Sequence, residues 1–288
     1  MSLTAALAQI DPALGNFAGN VEKHCEAAER ARQAGANIVL FPELSLTGYS
    51  IKDLHWDLAL DPATPPAALN PLLEISRSVS IIAGCVEEGP GYGLYNAALL
   101  FEKGTVRTVH RKVYPPTYGM FEELRYFSPG RAVRAFDCGS ARIGVLICED
   151  LWHLSLPYLL AADGATAIFT LVASPTRVVG TEERLPIAVA NSENHRAIAR
   201  LLSVHLLFCN RVGFDDGVGF WGGSEVVGPD GEVLASAKTF DEDLITAVLD
   251  ENDIRRARRF SRHFLDDDLR LVQDELRRIM KQREEKDL

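Results

Sequence analysis

The segment GVLICEDLW, residues 144–152, joins an apolar run to a cysteine and two acids. GVLI is too evenly apolar for a strand with one face in water, so it predicts a β-strand covered on both faces. Cys148 stands where this strand turns into a helix-like segment, and Glu149 and Asp150 follow it directly. Adjacent negative charge raises the pKa of a thiol, whereas the free N–H groups of a helix N-terminus favour the thiolate. The segment alone leaves Cys148 open as a nucleophile or as a buried structural cysteine.

Apolar runs of the same kind recur along the chain and alternate with helical patterns and hairpin turns. The clearest helical pattern begins at Asn20, a candidate N-cap, and closes at Gly35. A second long pattern covers residues 181–202, with a bend expected at Pro186. Strands that alternate with helices predict an α/β domain built of packed layers. The other apolar runs occupy residues 7–10, 37–41, 80–86, 96–101, 166–172, 205–212 and 244–250, and the hairpin turns lie at Gly104 and at residues 229–231.

The composition is that of a soluble globular protein, with 47% hydrophobic and 24% charged residues in a chain of 288. A formal net charge of -10 disfavours nucleic acid or an anionic membrane as a partner. The N-terminus has no basic region before its apolar residues, which disfavours a secretory signal and predicts a cytoplasmic protein. The five cysteines are odd in number and widely spaced, so they predict neither a zinc ribbon nor a disulfide framework.

The last segment, residues 251–288, is highly charged and contains neither Gly nor Pro. We therefore assign residues 1–250 to a globular domain and residues 251–288 to a C-terminal helical arm. An apolar stripe with spacings of 4, 3, 4 and 3 residues predicts a helix that packs on its own domain or on a sister subunit. The stripe consists of Leu265, Leu269, Val272, Leu276 and Ile279.

Two other segments place a charged side chain at the end of a predicted strand. In FPELSLTGYS, residues 41–50, Glu43 follows the strand NIVLF. In HRKVYPPTYGMFEELRYFSPG, residues 110–130, Lys112 ends the strand TVRTVHRK. Because α/β sheets bind their ligands beyond the carboxyl ends of strands, both side chains are candidates for a functional site. Taken singly, each one is more typical of an ordinary capping or surface residue than of a functional one.

A glutamate, a lysine and a cysteine in this chain order, each at a strand end, resemble the nitrilase or carbon–nitrogen hydrolase superfamily. The resemblance extends over nearly the whole chain to about residue 250 and includes the later segment NRVGFDDGVGFWGGSEVVGPDGEV. It implies an α/β fold, the four-layer αββα sandwich of the nitrilase type, and a homodimer or larger homo-oligomer. Around Lys112 and Cys148 the chain is most similar to the glutamine-amidase domain of glutamine-dependent NAD synthetases.

The resemblance implies that Glu43 is the general base and that Cys148 is the nucleophile. Lys112 is expected to stabilise the oxyanion together with the backbone N–H of Glu149, and Glu123 to keep Lys112 charged. The implied reaction converts a small carboxamide, possibly one like glutamine, into an acid and ammonia through a cysteine thioester, with no metal and no cofactor. The candidates for substrate binding are Tyr49, Tyr118, Phe121, Glu149 and Ser174.

Two departures from the NAD synthetases stand out. The SGGxDS loop of the synthetase domain is absent from these 288 residues, which leaves open a separate ammonia-accepting synthetase as partner. Val172 stands where the amidase domains of that family often carry Ser or Asn.

Three alternative readings of the sequence also bear on the function. The same thioester serves nitrile hydrolysis and acyl transfer to an amine, although Glu149 disfavours a nitrilase, since those usually carry Trp after the nucleophile. His153 is disfavoured as the base for Cys148, because it lies only five residues along the same turn. A catalytically silent binding or regulatory protein of the same fold would be favoured if a triad residue were missing, and all three are present.

Overall fold

The computed structural model describes residues 2–176 and 185–286, and this part of the chain contains two six-stranded β-sheets and a small three-stranded one. Each predicted apolar run forms a strand or lies largely within one. The strands are β1 Ser2–Gln9, β2 Ile38–Leu40, β3 Ser80–Glu88, β4 Leu94–Glu102, β5 Thr105–Arg111, β6 Phe136–Cys138, β7 Ala141–Ile147, β8 Ala167–Val172, β9 Pro175–Thr176, β10 His205–Asn210, β11 Val212–Asp215, β12 Val218–Trp221, β13 Glu225–Val227, β14 Val233–Ser236 and β15 Asp243–Asp250.

The first sheet has the strand order β15-β1-β2-β3-β4-β5, and the second has the order β14-β13-β10-β8-β7-β6. The small sheet has the order β11-β12-β9. Both predicted hairpins are confirmed, because β4 pairs antiparallel with β5 and β13 with β14. The helices are α1 Phe17–Gln33, α2 His55–Leu58, α3 Asn70–Ile75, α4 Ser155–Ala162, α5 Pro186–Leu202, α6 Glu251–Phe260 and α7 Leu269–Glu284.

Alternating side chains cover each of the two large sheets on both faces. In β1, Leu3, Ala5 and Leu7 join the apolar cluster between the sheets. Ala6 and Ala8 point the other way and join the cluster formed with α1 and α3. The outer face of the second sheet packs against α4 and α5 in the same manner. The layers therefore run helix, sheet, sheet, helix, and the predicted four-layer αββα sandwich is confirmed.

The two predicted helix features differ in detail from the structure. Asn16 caps α1 by accepting from the N–H of Gly19 at 3.1 Å, so the prediction of Asn20 as N-cap is wrong. Asn20 lies inside the helix, buried, where its side chain donates to the carbonyl oxygen of Leu46 at 3.2 Å. Pro186 is the first residue of α5, where its missing N–H costs nothing, and the part of the predicted helix at residues 181–184 lies outside the described residues.

The C-terminal segment forms α6 and α7, and only α6 inserts an apolar side chain into the domain. Ile254 of α6 is 4% exposed. The predicted stripe lies on α7 except for Leu265, which precedes that helix. Its members are 36–55% exposed, so the stripe does not pack on its own domain. Within the described residues, no helix is both long and apolar enough to span a membrane.

Candidate active site

Glu43 lies three residues beyond the end of β2, in a loop that rests against β3. A side chain at Gly84 of β3 would stand 2.3 Å from a backbone atom of this loop, so the close approach requires glycine. The Glu43 carboxylate is buried, and its Oε1 accepts from Lys112 Nζ at 2.6 Å and from Asn96 Nδ2 at 2.7 Å. Its Oε2 accepts from the backbone N–H of Ala173 at 3.0 Å. Three donors therefore hold the carboxylate in one orientation.

Lys112 follows β5 directly, and its buried ammonium lies between two carboxylates. Nζ donates to Glu43 at 2.6 Å and to Glu123 at 2.8 Å. Burial lowers the pKa of Lys112, but the carboxylates of Glu123 and Glu43 outweigh that effect and hold the pKa well above its usual value. Burial in turn raises the pKa of Glu123, against the opposing charge of Lys112. The lysine is thus a permanent cation, and two of its three N–H donors are bound to carboxylates.

Cys148 follows β7 in a left-handed backbone conformation, with φ 47°. This conformation costs a non-glycine residue about 1–3 kcal/mol and is concentrated at functional sites. The residue opens a 3-10 helix over Cys148–Trp152, and α4 follows from Ser155, so the helix-like segment expected after the strand begins at the sulfur as a 3-10 helix. Burial, and then the charge of Glu43, raise the pKa of Cys148 well above its usual value, although Lys112 opposes them. The resting residue is therefore a thiol that needs a base.

The backbone N–H of Ala173, just beyond β8, lies beside both Glu43 and Cys148. It donates to Oε2 of Glu43 at 3.0 Å, and it also lowers the pKa of the Cys148 thiol. The charge of Glu43 raises the pKa of the same thiol, so the carboxylate and the thiol are near neighbours. A carboxylate in this position is suited to take the thiol proton.

Asp150 fixes the turn that carries Cys148 to the loop that carries Lys112. Its fully buried carboxylate accepts from the backbone N–H groups of Val113 at 3.0 Å and Tyr114 at 2.9 Å. The other oxygen accepts from the N–H of Ile147 at 3.2 Å. The second acid after the cysteine thus orders the backbone on both sides of the site.

Replacing Asp150 with Asn is expected to destabilise the fold by about 1–3 kcal/mol, because one buried backbone N–H loses its acceptor. The value of kcat should fall with it, since the two catalytic segments lose their common anchor. Urea unfolding and steady-state kinetics measure both effects. Asp137→Asn, at a carboxylate that is 74% exposed, is the matched control, and equal behaviour of the two variants would contradict this role.

Residues 4–259 match the carbon–nitrogen hydrolase family. The chain belongs to this family. The glutamine-dependent NAD(+) synthetase of Thermotoga maritima is 35% identical over 253 residues, which are 86% of this chain and 42% of that protein. The solved glutamine-dependent NAD+ synthetase of Acinetobacter baumannii has 30% identity and a TM-score of 0.80, and the match covers 88% of this chain and 47% of the other. The hydrolase thus spans less than half of the length of these relatives.

A carbon–nitrogen hydrolase from Helicobacter pylori has a similar fold over almost the whole of both chains. The TM-score is 0.84 with 24% identity, and the match covers 96% of this chain and 98% of the other.

The residues expected to bind substrate lie on both sides of the catalytic groups in this hydrolase. Tyr118, which is 59% exposed, donates its hydroxyl to Glu149 at 2.7 Å, and burial together with this bond raises the pKa of Tyr118 to about 12. Phe121 packs edge-on against Tyr118, with ring centroids 5.7 Å apart. Tyr49 donates its hydroxyl to Glu123 at 2.6 Å, so it supports the Lys112 pair.

Ser174 and His153 occupy different surroundings. The Ser174 hydroxyl accepts from Trp221 Nε1 at 3.1 Å, and its backbone N–H donates to Asn210 at 2.8 Å. Val172 is buried in the cluster between the second sheet and its helices. His153 stacks on Tyr114 with ring centroids 3.6 Å apart, and Glu149 lies 3.7 Å from its Nε2.

Asn96 and a buried pair beneath Tyr49 also support the site, and neither was predicted from the sequence. Asn96 binds Glu43, and the only signal for it is an amide inside the apolar run NAALLF. Arg211 is fully buried and pairs with Asp215, whose Oδ2 accepts from the backbone N–H of Tyr49 at 2.8 Å. The signal here is an arginine within the apolar run HLLFCNRV. This pair anchors the segment that supplies the Tyr49 hydroxyl to Glu123.

Proposed function

We propose that this carbon–nitrogen hydrolase cleaves a small carboxamide to a carboxylic acid and ammonia through a thioester on Cys148. The observation that carries the proposal is the buried group of Glu43 and Lys112 beside Cys148, in which Lys112 Nζ donates to Glu43 at 2.6 Å and the Ala173 N–H bound to Glu43 also acts on the Cys148 thiol. Neutral thiol, carboxylate and ammonium are the three groups that acyl transfer from an amide needs.

In the acylation step, Glu43 takes the proton of the Cys148 thiol as the sulfur attacks the amide carbonyl carbon. The carbonyl oxygen gains the negative charge, and the third N–H of Lys112 and the backbone N–H of Glu149 bind it. Such donors contribute about 2.7–4 kcal/mol each to transition-state stabilisation. Glu43 then returns its proton to the nitrogen, the C–N bond breaks, ammonia leaves and the acyl group remains on sulfur.

In the second step Glu43 removes a proton from water, and the resulting oxygen nucleophile attacks the thioester carbonyl. The C–S bond breaks, and the thiolate takes the proton back from Glu43 while the acid leaves. One base therefore serves both half-reactions. Glu123 and Tyr49 take no proton, and their role is to hold Lys112 in place.

We infer that the substrate is glutamine or a similar short carboxamide, since the relatives above are glutamine-dependent. The test is ammonia release from glutamine, asparagine and other ω-amides, with nitriles of the same chain length as controls. Carboxamides are expected to turn over and nitriles are not. Turnover of nitriles without carboxamides would contradict the substrate class. Formation of an N-substituted amide in place of the acid when an amine is added would identify an acyltransferase.

In this proposal a second reaction uses the ammonia that the hydrolase releases. Because the matched relatives are synthetases that depend on glutamine, we infer that a synthetase is the acceptor. We also infer a cytoplasmic location, which the five unpaired cysteines favour.

We further propose that α7 lies in a subunit interface, because its apolar stripe is exposed in the single chain. Leu276→Lys is expected to lower the mass measured by light scattering, since a charge would enter the interface. Asp274→Lys, on the opposite face of the helix, should leave the mass unchanged. A monomeric parent protein, or an unchanged mass for Leu276→Lys, would contradict the interface.

A further inference from the structure

A small cavity opens onto the nucleophile between α5, the turn after β7 and the ends of β8 and β10. Its free space is about 30 Å³, room for roughly two waters or one small head group. Glu43 and Lys112 are not among its lining residues, so it meets Cys148 on another side. The lining includes Cys148, Val172, Ser174, Asn191, His195 and Phe208.

His195 of α5 is held in the wall of this cavity by an acid from the second sheet. Its Nδ1 lies 2.5 Å from Oε1 of Glu225, and the two residues are 1% and 8% exposed. Ser192 donates its hydroxyl to the other oxygen of Glu225 at 3.1 Å. The His195 ring packs on Phe208, with ring centroids 4.4 Å apart. Two apolar side chains could join α5 to β13 without the cost of removing polar groups from water. Helix–sheet packing therefore does not explain why a histidine and an acid are buried here.

The hydrogen bond to Glu225 determines which ring nitrogen of His195 remains available to a ligand in the cavity. An ionised carboxylate only accepts hydrogen bonds, so Nδ1 carries the hydrogen toward Glu225. Nε2 has no hydrogen-bond partner within residues 2–176 and 185–286. A carboxylic acid group that enters the cavity can share its proton with Nε2 and bind there, and the Glu225 carboxylate offsets positive charge on the ring in that complex.

Ser174 and Asn191 in the lining each keep a further donor for the cavity. The Ser174 oxygen already accepts from Trp221, which leaves its hydroxyl hydrogen to donate. Asn191 uses one amide N–H on the carbonyl oxygen of Ile187 and keeps the second. No Asp or Glu is among the described lining residues. A narrow, donor-lined cavity of this kind accommodates a small acceptor, and a carboxylate most favourably.

We propose that His195, held by Glu225, is a specificity-determining residue that binds the far end of the acyl chain and selects short carboxamides ending in a carboxylate. The inference rests on the proposed amidase function, since it assumes that the acyl group enters this cavity from Cys148. The small volume excludes branched and aromatic acyl groups from the same position.

The test compares succinamate and glutaramate with butanamide and pentanamide, the neutral amides of the same chain lengths. The parent enzyme should prefer the carboxylate in each pair, and His195→Leu should reduce that preference by about 10- to 100-fold, the worth of a hydrogen bond to a charged group. The loss should appear mainly as a higher KM for the charged amides, with the neutral amides nearly unchanged. Glu225→Gln should shift the preference in the same direction. Ser192→Ala, which contacts Glu225 but does not line the cavity, is the matched control and should keep the preference.

An equal loss for charged and neutral amides in His195→Leu would show a structural role and overturn the proposal. A parent enzyme that prefers neutral amides would overturn it too. Calorimetry in a Cys148→Ala background separates this inference from the proposed function. Glutaramate should bind there more tightly than pentanamide, and the added His195→Leu should remove the difference. Tighter glutaramate binding without any turnover by the parent would retain the subsite and refute the amidase function.

Discussion

Cys148→Ala should form neither thioester nor product, whereas Glu43→Gln should still form a thioester when the substrate brings its own good leaving group. The alanine variant lacks the sulfur that bonds to the acyl carbon. The glutamine variant keeps the sulfur but cannot move a proton, and an amide needs that proton to expel ammonia. Its amide turnover is expected to fall by about 10²- to 10⁴-fold, the usual contribution of general acid–base catalysis. An activated ester needs no such proton, so slow acylation should continue and the adduct should accumulate.

Intact-mass spectrometry after mixing with the ester measures this difference between the two variants. Peptide mapping must place the adduct on Cys148, and Cys85, Cys138 and Cys209 are buried away from it. Urea unfolding of both variants checks that the fold is intact. Amidase activity in Cys148→Ala, or an adduct on another cysteine, would refute the mechanism.

Lys112→Met is expected to impair both catalysis and stability. Removal of the cation takes away an oxyanion donor, so kcat should fall by about 10²- to 10³-fold. The change also leaves Glu43 and Glu123 buried without a counter-charge, which should cost about 3–5 kcal/mol of unfolding free energy near neutral pH. Lys281→Met, at a side chain that is 78% exposed, should change neither quantity.

The stability deficit of Lys112→Met should depend on pH in a defined direction. Burial already raises the pKa of Glu123, and loss of Lys112 removes the opposing charge. A carboxyl whose pKa is raised on folding stabilises the fold below the pKa of an unfolded glutamate, about 4.3, and this contribution is lost as pH rises through the folded value. The deficit relative to the parent should therefore be smaller at mildly acidic pH than near neutral pH. Chemical denaturation across that range measures it, and a constant deficit would argue against the buried-charge explanation.

The strands could be predicted because their apolar runs must be covered on both faces. Stacked layers of sheets and helices provide this cover. The sequence was less informative where two residues of the same type could fill the same structural role. Asn16 and Asn20 are equally good caps by sequence, and the choice depends on the contacts of Asn20 with Leu46, which are tertiary. The spacing of the α7 stripe predicts a helix, but it carries no information about what covers that helix.

The positions of Glu43, Lys112 and Cys148 at strand ends could be predicted from the sequence, whereas the residues that support them could not. Asn96 reaches Glu43 across 53 residues, and Asp150 reaches Val113 across 37. Neither pairing leaves a local pattern. A helix-like segment after Cys148 was predicted, but its type was not, because the pattern after the strand does not distinguish a 3-10 helix from an α-helix.

The reacting groups are divided between the two large sheets. Glu43 and Lys112 extend from β2 and β5 of the first sheet, and Cys148 and Ala173 extend from β7 and β8 of the second. Their spacing is therefore set by how the apolar side chains between the sheets interlock, far from any substrate. A displacement of about 1 Å can cost 10²-fold in rate. Enlarging one residue such as Leu207, deep between the sheets, can thus silence the chemistry in a molecule that is still folded.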